Sequence, residues 1–264
     1  HPYYGSGWCR NIVYPLLGFD QMIFKDDFAA PKKIRNYISD ESAFQKIIEL
    51  YEEKGVGEKL FTFEVTMQNH GGYSKDVEDF NESIYLTDEM SQGTQVRAAE
   101  KYLTLIRESD QAFKELVEYF EKQQEPTIIL MFGDHQPSDY ITNVILRELG
   151  LDRDTDDDVY YNNYIVPYIM WSNYDMDTTQ VENVSLNYLG GMLMEKAGIG
   201  LTGYQQFLKE MQKDFPAITA NMIMNADGSR VAEKDVQSEW IENYHKLVYN
   251  HLCDKKDKLT QFYE

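Results

Sequence analysis

PTIILMFGDHQP, residues 126–137, is the stretch that decides the fold. Thr127 to Phe132 is a continuous apolar, partly β-branched run, too short for an ordinary helix. Such a run predicts a strand buried on both faces, as in the middle of a parallel sheet. It stops at Gly133, and a carboxylate and an imidazole, Asp134 and His135, follow at once. In open α/β sheets, ligands gather at the carboxyl ends of the strands, where loops carry polar groups out of the apolar sheet. An aspartate beside a neutral histidine at such an end is reasonable ligation for a divalent metal. The same residues also suit a plainer arrangement, with Asp134 capping the next helix and His135 merely exposed.

Working upstream, Gln95 to Gln123 is the longest helical pattern, with Ala98, Tyr102, Leu105, Phe113, Leu116 and Phe120 at the spacing of a helix lying on a sheet. It feeds the Pro126 strand as a crossover unit. Before it, Leu60 to Thr66 (LFTFEVT) predicts a second strand, which ends in Gln68, Asn69, His70, Gly71 and Gly72. Paired glycines let backbone approach a ligand closely. A lone histidine is more often structural than catalytic, but two strands that both end in histidine-bearing loops are harder to dismiss. Ser39-Asp40-Glu41-Ser42 opens a helix that Gly55 ends, with Phe44, Ile47, Ile48 and Tyr51 as its buried stripe.

Residues 1–28 are punctuated by Gly5, Gly7, Pro15 and Gly18 and read as an irregular, aromatic-rich loop, with Leu16, Leu17 and Phe19 as core and Asp26–Asp27 as a solvated turn. In an extended segment Trp8 and Arg10 face the same side. An arginine beside a tryptophan can clamp a phosphate or carboxylate while the ring covers a sugar or apolar face. A surface arginine beside a buried tryptophan fits the same letters.

Downstream, residues 74–93 read as a polar surface excursion, and Ile141 to Leu149 as a short helix. Asp152 to Asp158 lacks the spaced glycine and closing glutamate of a calcium loop and reads as a solvated loop. Tyr164 to Trp171 predicts a third strand whose Pro167 marks an edge or a bulge. Leu186–Lys196 and Tyr204–Gln212 read as amphipathic helices, Ala226-Asp227-Gly228-Ser229 as a hairpin turn, and about 233–252 as a closing helix. There are no internal repeats, and the alternation of strands and helices points to one α/β domain.

Composition narrows the function. The 264 residues are 42% hydrophobic and 14% aromatic, as in a folded globular protein. The 20 tyrosines suit a surface for polar or sugar-like ligands, and suit plain packing equally. A formal net charge of −20 argues against a nucleic-acid partner and against electrostatic binding to anionic membranes. An anionic substrate therefore needs local positive charge from a metal, arginine or histidine. The two cysteines, Cys9 and Cys253, form no disulfide framework, though one bridge is open to them. No apolar run approaches the roughly 18 residues of a membrane span. The abrupt HPYYGSGWCRN start reads as a cut within a longer protein.

Together, WCRNIVYPLLGFD, FEVTMQNHGGY, RAAEKYLTLIRESDQAF, IILMFGDHQPS, VPYIMWSN and SLNYLGGMLMEKAGI occur in the order seen in the lipoteichoic-acid-synthase-like phosphoglycerol transferases, a branch of the sulfatase and alkaline-phosphatase superfamily. The likeness runs from Trp8 to about Gly200. It implies an α/β sulfatase-like sheet with helices on both faces, N-terminally truncated here. The expected whole is an extracytoplasmic catalytic domain at a bacterial cell membrane, tethered by transmembrane helices outside this chain. By the resemblance, Asp134 and His135 match a metal-ligand pair, with manganese expected and magnesium or zinc as alternatives. His70 matches a histidine that contacts the phosphoglycerol head group, and Trp8 and Arg10 match substrate-contacting residues.

The resemblance also implies a threonine nucleophile that doubles as a metal ligand, and a glutamate ligand, both upstream of His1. Neither has a counterpart here, so the chain alone is expected to bind metal weakly or not at all and to be inactive. It is also expected to expose a sheet edge or apolar patch. The implied reaction moves glycerophosphate from a phosphatidylglycerol-type lipid to a hydroxyl of a polymer or glycan. Water as acceptor would make the same residues a phosphodiesterase, and a sulfate ester would make them a sulfatase. A non-catalytic binding domain is the third class. The enzymatic reading requires His70, Arg10, Asp134 and His135 to converge on one anion-sized hollow.

Overall fold

The computed structural model describes every residue except 76, 78, 79, 88–92, 179, 180, 182 and 220. The chain is mixed α/β and packs as two units, His1–Glu125 with Phe132–Tyr168, and Pro126–Met131 with Ile169–Glu264.

In the first unit the N-terminal stretch is more regular than its glycines suggest. A single 3-10 turn, Gly7–Cys9, leads into helix α1, Arg10–Leu16. Trp8 and Cys9 both adopt left-handed backbone angles, φ 52° and 55°, so the chain reverses before the helix starts. Leu16 and Leu17, expected in the core, are 81% and 66% exposed. Apolar character raises the value of burial but does not create a covering surface.

Strands β1, Lys33–Ile34, and β2, Tyr37–Ile38, form a hairpin that the sequence reading did not anticipate. Its two-residue turn, Arg35–Asn36, has φ 53° and 70°, the mirror-image turn that matches strand twist. Glycine is the usual second residue; an L side chain in this region costs about 1–2 kcal/mol. Helix α2, Asp40–Glu53, starts where expected, with Ser39 Oγ accepting from the Ser42 amide at 3.2 Å.

Helix α3, Thr94–Phe120, runs 27 residues, about 40 Å, and packs against α2 and against α4, Asp139–Glu148. Ala98 and Ala99 present almost no side-chain volume, and Ile141 and Val144 of α4 are buried in the same cluster with Ile34, Tyr73 and Leu105. Burying Leu105 completely is worth about 2 kcal/mol. The expected excursion at 74–93 falls partly outside the described residues; Phe80 and Leu86 within it pack on this core. The acidic run is not wholly a solvated loop, because Asp156 caps α5, Asp157–Asn162, by accepting from the amides of Asp158 and Val159.

Two strand expectations need correction. Leu60–Thr66 forms no ladder among the described residues. Phe61 and Phe63 instead stack on Phe19, with centroids 6.0 and 6.3 Å apart. β-Propensity reports how well side chains fit a pleated surface, and a ladder still needs a second strand to bond to. The Thr127–Phe132 run does form a strand, β3, Ile128–Phe132, but none of its residues is fully buried. Its ladder neighbour among the described residues is β4, Tyr168–Ser172. Asn173 N donates to Thr127 O, and Gly133 N donates to Pro167 O. Residue numbers thus run in opposite senses along the pair, which is antiparallel. β4 starts after Pro167, which has no amide to give a ladder.

The second unit also holds helices α6, Leu186–Lys196, and α7, Gly203–Asp214, which pack together. Thr202 and Gln205 close a reciprocal cap at the start of α7. Strands β5, Ala217–Ile218, β6, Met222–Met224, and β7, Arg230–Ala232, form an antiparallel sheet. The expected turn sits between β6 and β7, with Gly228 at φ 83°. The closing helix starts later than expected: a 3-10 turn, Glu233–Asp235, precedes α8, Glu239–Leu252, and α9, Thr260–Tyr263, follows. Tyr188, Leu208, Met211, Phe215, Ile223 and Ile241 form the core. Cys9 and Cys253 are both free, exposed thiols. No helix among the described residues is long and apolar enough to cross a membrane.

Asp40 is the buried ionisable group with the clearest consequence for stability. Burial pushes its carboxyl above the ordinary value of 3.8, against hydrogen bonds from Ser109 and Thr66 that lower it. The folded state therefore holds this proton more tightly than the unfolded chain does. The contribution is fully present below pH 3.8 and is lost as pH rises through the raised folded value. Asp40→Asn keeps an acceptor for Ser109 and removes the titration. Urea unfolding of both proteins from pH 4 to 8 should show the variant gaining stability relative to wild type as pH rises; a constant difference would exclude a proton held by Asp40.

Candidate functional site

Each candidate side chain is set by the backbone beneath it. His70 lies on a turn over residues 67–73, where its amide donates to Met67 O at 3.0 Å. Gln68 is 1% exposed. Its Oε1 accepts from the Asp40 amide at 3.0 Å, and its Nε2 donates to Leu105 O and to Ser109 Oγ at 3.1 Å. Asn69 Nδ2 also donates to Ser109 Oγ, which donates onward to Asp40 Oδ2. Tyr73 OH closes the turn by donating to Asn69 O. Burial pushes the Tyr73 hydroxyl up to about 12, so it stays a donor at neutral pH. Two of the polar residues that end the predicted strand, Gln68 and Asn69, are thus spent on holding the turn, and the exposed one of the three is His70.

Trp8, Arg10 and His70 come together. The Arg10 guanidinium carbon lies 4.5 Å from the centroid of the Trp8 ring. Trp8 meets the His70 ring edge-on at 5.7 Å. The left-handed pair at Trp8 and Cys9, not an extended segment, turns both side chains to one side. Arg10 Nε donates to Tyr14 OH at 2.8 Å, one helical turn on. Its Nη1 is 3.0 Å from His1 Nε2, and His1 Nδ1 is 2.7 Å from Val65 O. A carbonyl can only accept, so His1 carries its proton on Nδ1 and accepts from Arg10 at Nε2. Nη2 of Arg10 makes no hydrogen bond among the described residues. Nothing in the sequence reading singled out His1, because its role arises only from contacts with Arg10 and Val65.

Asp134 and His135 form their own pair, with side chains 80% and 77% exposed. His135 Nδ1 is 2.7 Å from Gln136 O and therefore carries a proton, so in the neutral ring the lone pair lies on Nε2, 3.3 Å from Asp134 Oδ2. Two lone-pair donors side by side fit two positions around one divalent cation. Among the described residues no group of three or more His, Cys, Asp or Glu side chains is placed to hold a metal ion. Asp134 does not cap α4; its Oδ1 accepts from the next amide, that of His135. No hydrogen bond, ion pair or ring contact joins Asp134 or His135 to Trp8, Arg10 or His70 among the described residues. Burial pushes up the Tyr102 hydroxyl and the Asp134 carboxylate adds to the shift, while Tyr102 packs edge-on against Tyr73 at 5.9 Å, at the end of the His70 turn.

Comparisons with known proteins bear on the family and the fold. Over its full length the chain is 27% identical to a Rhizobium meliloti (strain 1021) protein named for cyclic beta-1,2-glucan modification, covering 42% of that protein. It is 28% identical over 138 residues, 52% of the chain, to the capsular polysaccharide biosynthesis protein RkpI of the same organism, covering 23% of it. The chain thus spans less than half the length of these curated relatives. In fold it resembles the Streptococcus pyogenes phosphoglycerol transferase GacH, solved with sn-glycerol-1-phosphate, with a TM-score of 0.69 and 19% identity over 100% of this chain and 63% of that one. It also resembles the Listeria monocytogenes lipoteichoic acid synthase LtaP, with a TM-score of 0.51 and 18% identity over 64% and 41% of the two chains. The sulfatase family model matches residues 1–199, three-quarters of the chain, and the protein belongs to the sulfatase family.

Proposed function

We propose that this chain supplies the substrate-holding part of a phosphoglycerol transferase that moves glycerophosphate from a phosphatidylglycerol-type lipid to a glycan or polymer hydroxyl. The observation that carries this reading is the Trp8–Arg10–His70 cluster, in which a braced guanidinium and an exposed imidazole stand beside one aromatic face. Arg10 is preorganised: Trp8 backs its plane, and Tyr14 and His1 occupy Nε and Nη1. Its Nη2 is then free to hold a non-bridging phosphate oxygen, and little side-chain freedom remains to be lost on binding. His70 donates to another phosphate oxygen or to a glycerol hydroxyl, and moves a proton at the entering or leaving oxygen. Asp134 and His135 would hold a divalent cation, manganese by the family resemblance, which when bound neutralises charge on phosphate oxygens. A threonine hydroxyl in the longer protein is the proposed nucleophile; its attack on phosphorus releases diacylglycerol and leaves phosphoglycerol on the threonine. The acceptor hydroxyl then takes the group. A glycan acceptor is favoured by the names of the relatives, which concern glucan and capsular polysaccharide. The proposed setting is the outer face of a bacterial cell membrane, with the anchor outside this chain.

The test is turnover of fluorescent phosphatidylglycerol by the full-length protein with manganese. Asp134→Ala and Arg10→Ala should each cut diacylglycerol release by about 100-fold or more. Release that both substitutions leave intact would remove the proposal. Cleavage of aryl sulfate in place of phospholipid would make the protein a sulfatase.

Gly133 gives a second test. A methyl group at this position would lie 3.0 Å from Val166 Cβ, so either Val166 or the backbone that aims Asp134 must give by a few tenths of an ångström. Gly133→Ala should weaken manganese binding by the full-length protein and lower turnover about tenfold or more, because small misplacements of positioned groups are costly. Manganese titration followed by electron paramagnetic resonance reads the first effect directly, and affinity equal to wild type would show that the strand end tolerates the methyl.

A further inference from the structure

The turn that carries His70 is held from a second direction, by the β1–β2 hairpin. Arg35 takes the first left-handed position of that hairpin and is only 5% exposed. Its guanidinium carbon lies 4.3 Å from the centroid of the Tyr73 ring. Its Nη2 donates to the carbonyls of Gly71 at 3.0 Å and His70 at 3.4 Å, which fixes the two peptide groups that follow the His70 side chain. From the neighbouring strand, Tyr37 sets its ring edge-on to the imidazole at 6.0 Å, with its hydroxyl 3.5 Å from Nδ1.

Packing stability does not account for an arginine here. A guanidinium taken out of water is costly unless its donors are met, and the buried Nη1 has no hydrogen-bond partner among the described residues. The left-handed backbone adds strain that a glycine would relieve. Strained residues other than glycine persist where the surroundings over-determine them, and they cluster at functional sites. Both costs fall on the one residue that grips the backbone of His70.

We propose that Arg35, with Tyr37, is a positioning residue that sets where the His70 imidazole stands relative to Trp8 and Arg10, and so where the glycerophosphate head group is held. The consequence for turnover rests on the function proposed above; the consequence for His70 itself does not. The experiment compares wild type, Arg35→Lys and Tyr37→Phe by two readouts. One is the His70 Cε1–H resonance of histidine-labelled protein, identified by its absence in His70→Gln. The other is kcat and KM for fluorescent phosphatidylglycerol in the full-length protein. Lysine keeps the charge and loses the planar fork. In folded Arg35→Lys the resonance should move and kcat should fall about tenfold, with KM changed less than kcat. Tyr37→Phe, which keeps the ring and drops the hydroxyl, should shift both readouts in the same direction by less. A folded Arg35→Lys protein in which either readout matches wild type overturns the proposal, whatever happens to its Tm. Should Arg35→Lys fail to fold, Tyr37→Phe decides by the same pair. If wild type turns over no phospholipid, the functional reading fails, and the resonance alone decides whether Arg35 positions His70.

Discussion

A carboxyl removed from water must be neutral or surrounded by donors; at Asp40 Ser109 donates to Oδ2 while Oδ1 is buried without a partner among the described residues, which favours the neutral form. Ser109 Oγ donates to Asp40 and accepts from Gln68 and Asn69, so a single hydroxyl ties α2 and α3 to the turn between them in sequence. Gln68 also accepts from the Asp40 amide, one of the donors that the first turn of any helix leaves unmet. The helix start and the His70 turn therefore satisfy each other, and neither closes properly without the other. A buried network of this kind is stabilising when every member is met and costly when one is lost. The exposed imidazole stands on a turn held by a network of polar groups beneath it.

This division explains what the letters of the chain could and could not disclose. The helices at 40–53, 94–120, 186–196 and 203–214 were legible because a helix is bonded within itself and its buried stripe repeats locally. The turn at 226–229 was legible for the same reason, since Asp227 and Gly228 act on their own backbone. Strands depend on partners that local sequence does not specify. The run at 128–132 therefore gave its conformation correctly and its burial wrongly, and LFTFEVT gave a propensity that no ladder among the described residues uses.

The site divided in the same way. Trp8, Arg10 and His70 stood out by residue type, and they do meet. Alternation along an extended strand was the wrong reason, because two left-handed residues produce the same approach. Arg35, Tyr37 and His1 carried no signal. An Arg-Asn pair lacks the glycine that usually marks a mirror-image turn, and the work of all three lies in contacts up to 64 residues away in sequence. Asp134 and His135 stood out by motif and stand paired, with no hydrogen bond, ion pair or ring contact to His70 among the described residues.

Charge sets the last requirement on the proposed reaction. A chain with a net charge of −20 repels an anionic head group only at close range, because physiological salt screens beyond about 8 Å. Inside that distance the local groups decide. Arg10 has one η nitrogen to offer, since Tyr14 and His1 occupy the other donors named above. The two N–H groups of that nitrogen position a phosphodiester but do not balance the further charge that builds up as a leaving oxygen departs. A second positive centre is needed, and two places can provide it: the His70 ring when protonated, and the exposed Asp134–His135 pair when it holds a divalent ion. The second converts a local negative charge into a positive one, which a histidine alone cannot do. That difference gives the pair at 134 and 135 its part in the proposed chemistry, beside the head-group contacts proposed for Arg10 and His70.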